Sequence, residues 1–159
     1  MRKLFFLLAS ILILNCSNTN EHISKDVASG FDSLKADIYG ADEYGMKTYV
    51  FAFLKKGPNR DISPSEAAKL QKGHLKNIKR LAKENKLVLA GPFFGDGDIR
   101  GIYIFNVDNL DSAKALTETD PAIQAGSLVM ELHKWYGTAA LMAINEIAPT
   151  LAKKSITND

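Results

Sequence analysis

Leu87-Val88-Leu89-Ala90-Gly91-Pro92-Phe93-Phe94 and Arg100-Gly101-Ile102-Tyr103-Ile104-Phe105-Asn106-Val107 are two short runs rich in β-branched and aromatic side chains. Between them, Gly95-Asp96-Gly97-Asp98 supplies the residue types of a tight reversal, so the pair predicts an antiparallel hairpin. Asp96 and Asp98 are turn residues in this reading, because a calcium loop needs a longer series of regularly spaced oxygen ligands.

Upstream of the hairpin, Ser63-Pro64-Ser65-Glu66 offers a cap, a proline for the first turn and an early carboxylate. Ala67, Leu70, Leu75, Ile78, Leu81 and Ala82 then recur at helical spacing to about Asn85. Downstream, Asp111 starts a second helix over residues 111–119, with Ala113, Ala115 and Leu116 inward, and Asp120-Pro121 stops it. Residues 47–54, closed by Lys55-Lys56-Gly57-Pro58-Asn59, and residues 127–133 read as the first and last strands. The order is βαββαβ, the α+β ferredoxin-like plan of one antiparallel sheet with both helices on one face.

Both sides of that sheet are apolar. Tyr49, Phe51 and Phe53 alternate with Val50, Ala52 and Leu54, and Tyr103, Phe105 and Val107 alternate with Ile102 and Ile104. Two helices cover one face only, and a second bare apolar face calls for a symmetric partner sheet, hence a homodimer. The competing cover is the chain's own tail, where residues 139–148 form a short apolar helix before Pro149.

The start of the chain has another character. Met1-Arg2-Lys3 is basic, and residues 4–14 are an apolar run too short to span a bilayer, which is the layout of a signal peptide over residues 1–15. Ile13-Leu14-Asn15-Cys16 resembles a lipobox. The expectation is export to a bacterial cell envelope and lipidation at Cys16, with a secreted or periplasmic protein as the alternative. Residues 16–45, polar with scattered apolar side chains, read as a flexible tether containing one weak helical turn; residues 46–137 are the domain, and residues 138–159 the C-terminal helix and tail.

Twenty basic and eighteen acidic residues spread along 159 positions give a formal charge of +2 without a basic stripe, which argues against nucleic acid. A single cysteine excludes an intrachain disulfide. His22, His74 and His133 show no metal-ligand spacing, and there is no phosphate loop or glycine-flanked serine elbow, so neither a metal nor a cofactor is expected.

His74 falls on the inward stripe of the first long helix or at its margin, four residues from both Leu70 and Ile78. It is either a core histidine satisfied by one hydrogen bond or a general base. Asp120, fixed by Pro121, is either a helix terminator or the carboxylate that holds an imidazole in one tautomer. Gly91, Pro92 and Phe93 either shape an apolar pocket wall or mark an edge kink.

Taken together, His74, the stretch from Asn85 to Pro92, Asp120-Pro121-Ala122-Ile123-Gln124-Ala125-Gly126, and Glu131-Leu132-His133-Lys134-Trp135 resemble the YCII-related (YciI-like) domain family. The resemblance covers about 90 residues, Tyr49 to Trp135. It implies a dimeric α/β-barrel-type pairing of ferredoxin-like domains and a His74–Asp120 dyad. In some members it implies cofactor-free chemistry on small ring compounds. The resulting expectation is a lyase or isomerase in which Phe93 and Trp135 wall a planar substrate. A non-catalytic module binding a small ligand or an envelope protein is the alternative.

Overall fold

The computed structural model describes residues 30–155. The expected signal peptide, Cys16 and much of the expected tether lie outside the described residues. Among the described residues, 36–155 belong to one compact unit. Helix α1, Ser33–Tyr39, lies within the span expected to be tether, and Asp32 accepts a hydrogen bond from the Lys35 amide at its start (3.0 Å).

The sheet has the order β2-β3-β1-β4, formed by β1 (Met46–Lys56), β2 (Leu87–Pro92), β3 (Ile99–Phe105) and β4 (Leu128–Thr138), with every pairing antiparallel. This is the ferredoxin-like arrangement. β4 runs five residues beyond the expected stop at residue 133, because β1 begins at Met46 and its first residues pair with Tyr136, Gly137 and Thr138.

Helix α2, Pro64–Lys83, forms as its sequence dictates. The Ser63 hydroxyl accepts from the Glu66 amide (3.2 Å), and Leu70, His74, Asn77 and Leu81 make the buried stripe. Asn85 takes a left-handed conformation (φ 53°), while the Asn85 and Lys86 amides bond back to Ala82 and Leu81 and satisfy the last carbonyls. Helix α3, Leu110–Thr117, is capped by Asn109, whose side chain accepts from the Ser112 amide (2.8 Å). Asp111, expected as the starting residue, sits instead in the first turn, where a carboxylate favours the helix dipole. A short helix α4, Pro121–Gln124, follows.

The helices bury one sheet face: Val50, Ala52, Leu54, Tyr103 and Phe105 pack with Leu81, Leu87 and Ala113. On the other face, Tyr49, Val88 and Ile104 pack with Leu141, Met142 and Ile144. Those last three belong to a 3₁₀ turn, Ala139–Ala143, and to helix α5, Ile144–Leu151, which includes Pro149 rather than ending before it. The tail therefore covers part of the second face. Phe51, Phe53, Ile102, Val129 and Trp135 remain partly exposed; the β1–β3 and β1–β4 registers place all five on that side.

Candidate active site

Two different elements bring His74 and Asp120 together. His74 lies midway along α2, on the stripe facing the sheet, with 8% of its surface exposed. Asp120 is the N-cap of α4 and has no exposed surface. Its Oδ1 accepts from the Ala122 amide (2.9 Å), and its Oδ2 lies 2.7 Å from His74 Nδ1. Pro121 fixes the backbone immediately after the carboxylate, so the cap that starts α4 also aims the second oxygen at the imidazole.

The close approach depends on Gly73. A Cβ at that position would stand 3.1 Å from Pro121 Cγ, tighter than ordinary packing, so a glycine mid-helix permits α4 to seat against α2. Gly73 carried no chemistry in the sequence and drew no attention there. Its only signal was a helix-weakening residue beside the histidine.

Tyr103, on the helix-facing side of β3, completes the cluster. Its hydroxyl lies 3.3 Å from His74 Nε2, and the two rings lie near-parallel with centroids 6.0 Å apart. An ionised Asp120 can only accept, so Nδ1 carries the ring proton, Nε2 keeps a lone pair, and Tyr103 is the donor to it. Burial, followed by the nearby Asp120 charge, pushes the Tyr103 hydroxyl far above its ordinary titration range and keeps it protonated. The sequence showed Tyr103 as a strand residue; a hydroxyl on the face otherwise lined by apolar side chains was the available clue that it needs a polar partner.

One turn further along α2, Asn77 Oδ1 accepts from Arg80 (2.8 Å) and from the Thr119 hydroxyl (3.2 Å), which ties the end of α3 to α2 beside the dyad. The buried Asn77 Nδ2 has no partner among the described residues.

The remaining expected site residues lie elsewhere. Trp135 packs against Tyr49 (centroids 5.8 Å) and Phe51 (6.2 Å), on the sheet face opposite His74. Strand parity is the reason: Trp135 pairs with Tyr49, whereas the dyad contacts the side of β3 that carries Tyr103. Within one chain, Trp135 and His74 therefore do not share a wall. Gly91 pairs with Ile102 and Pro92 with Gly101, and Phe93 is 48% exposed past the end of β2, its amide donating to the Arg100 carbonyl (2.9 Å). These three form a strand end.

Fold and site together define a class: a ferredoxin-like α+β domain with a buried histidine–carboxylate pair between its helices and its sheet. The chain belongs to the YCII-related domain family, which it matches over residues 49–135. It is 30% identical over 63 residues to YjpA of Bacillus subtilis (strain 168), a protein described as uncharacterized, a match covering 40% of this chain and 72% of that one. Among solved structures it is similar to 5-chloro-2-hydroxyhydroquinone dehydrochlorinase (TftG) of Burkholderia phenoliruptrix AC1100 in complex with 2,5-dihydroxybenzoquinone. That similarity has a TM-score of 0.42 and 23% identity, and covers 54% of this chain and 92% of the other.

Proposed function

We propose that this protein is a cofactor-free lyase or isomerase acting on a small cyclic or aromatic molecule, with His74 as general base and Asp120 as the group that orients it. The observation that carries the reading is the 2.7 Å contact between His74 Nδ1 and a fully buried carboxylate. It leaves the lone pair at Nε2, where a substrate proton can be taken. In the step we propose, a phenolic or activated carbon proton passes to Nε2, and Asp120 stabilises the positive charge that develops on the ring. The proton then returns at another position, or leaves with the departing group. Tyr103 holds Nε2 in the resting state and yields it to the substrate. No cofactor is called for, because proton transfer lies within the reach of an imidazole.

The test is a thermal-shift screen of the full chain against phenols, quinones, lactones and small enol acids, followed by turnover assays beside His74→Gln. The variant is expected to lose about 10² to 10⁴ in rate while keeping the fold. Turnover unchanged in His74→Gln removes His74 as the base.

A second reading, a binding module of the envelope, is favoured by the low exposure of His74 and by its hydrogen bond to Tyr103. Ligands that shift the melting temperature equally in wild type and His74→Gln, without turnover, select it. The signal-like residues 1–15 and the lipobox-like Cys16 support an exported protein anchored by lipid to a bacterial membrane. Palmitate labelling lost in Cys16→Ser is the expected result. The half-covered sheet face supports a homodimer.

A further inference from the structure

Away from the dyad, α2 and α5 enclose a groove of about 760 Å³. Leu75, Ile78 and Ala82 line it from α2, and Ala148, Pro149 and Ala152 from α5 and the residue after it. Asn145 fixes the two walls together: its amide nitrogen donates to Ala82 O (3.3 Å), in the last turns of α2, and to Leu87 O (3.0 Å), at the start of the edge strand β2. The groove is thus built by the fold and held at one end by hydrogen bonds.

Among the described residues its charge is one-sided. Lys83, Lys153 and Lys154 also line it, and among the described residues the lining includes no aspartate or glutamate. The whole chain balances twenty basic residues against eighteen acidic ones, so the concentration of lysines around an apolar floor is local. The volume lies in the ordinary range of small-ligand sites, about 300 to 1,000 Å³, and long lysine side chains can cover an apolar ligand while presenting charge to its polar end.

We propose that this groove binds a single-chain anionic amphiphile, a long-chain fatty carboxylate, with the acyl chain along the apolar floor and the carboxylate among the lysines. Neither a free phosphate nor a neutral hydrocarbon satisfies both features. The proposal does not depend on the chemistry assigned to His74.

The experiment uses the full chain and a diazirine-bearing palmitate. Photolabel is expected on peptides spanning residues 75–83 and 145–155, and Ala148→Trp, which fills the groove from an exposed position, is expected to abolish it. Oleate should displace the probe at least tenfold better than oleyl alcohol. Lys83→Gln with Lys153→Gln should erase that preference while leaving alcohol binding unchanged. Label confined to the N-terminal residues or to the open sheet face overturns the proposal, as does equal binding of acid and alcohol to the unmodified chain. Labelling of the groove that appears only after residues 156–159 are deleted assigns it to the tail and overturns the proposal as well.

Discussion

Asp120 commits one oxygen to the Ala122 amide and the other to His74, and this division makes its amide variant informative. In Asp120→Asn the backbone N–H keeps the oxygen, so the new NH₂ faces His74 Nδ1. That nitrogen must then accept, and the ring proton moves to Nε2, where no lone pair remains for a substrate. We expect a rate loss of about 10² or more with little change in fold, and imidazole ¹⁵N shifts that report the opposite tautomer. Wild-type shifts in the variant would show that Asp120 does not set the tautomer. Tyr103 gives a second prediction at this scale. Its hydroxyl titrates higher in the folded chain than in the unfolded one, where it ionises near 10. The folded state therefore holds a proton that the unfolded state releases above that pH. The stabilisation is complete below about pH 10 and declines as pH rises further. In Tyr103→Phe that alkaline decline should be shallower, as read from melting temperatures between pH 8 and 11.

Helix α2 sets the register of the dyad through Gly73, because the Pro121 ring occupies the space a side chain would take. Gly73→Val is expected to push α4 away and lengthen the His74–Asp120 contact, so that the tautomer is no longer fixed. The expected signs are averaged His74 ¹⁵N shifts and a lower melting temperature; unchanged shifts would separate the dyad from this packing. Ser63→Ala, which only removes the cap of the same helix, should cost about 1 kcal/mol and leave the imidazole signals in place. The elements themselves were largely legible, since α2, the hairpin and the β1 alternation rest on local periodicity, cap residues and turn residues. The cap of α3 was misplaced by two residues because Asn109 and Asp111 are both good caps, and only backbone geometry chooses between them. Of the site, His74 and Asp120 were legible as candidates, but their contact spans 46 residues and belongs to tertiary packing. Tyr103 and Gly73 were hidden for the same reason, and the separation of Trp135 from His74 within one chain follows from strand register, which the sequence reading did not resolve.

At the scale of the whole molecule, the second sheet face divides between two kinds of cover. The tail packs Leu141, Met142 and Ile144 against Tyr49, Val88 and Ile104, and Phe51, Phe53, Ile102 and Trp135 are left partly open. At the margin of this open part, Glu131 pairs with Lys55 and with His133 (2.8 Å to Nε2), while the His133 ring stands edge-on to Phe53. An apolar centre with a polar margin is how protein interfaces are built, so a second copy is the cover we expect there. Phe53→Glu places a charge in that centre without touching the tail contact, and light scattering at micromolar concentration should fall from twice the chain mass to the chain mass. The melting temperature separates the two covers. Binding between copies makes it rise with protein concentration, a dependence that Phe53→Glu should abolish. Removing the chain after Thr138 should instead lower it at every concentration, because it uncovers Tyr49, Val88 and Ile104 within a single chain. A wild-type chain that is monomeric and concentration-independent would leave the tail as the only cover and the aromatic patch as a surface for some other ligand.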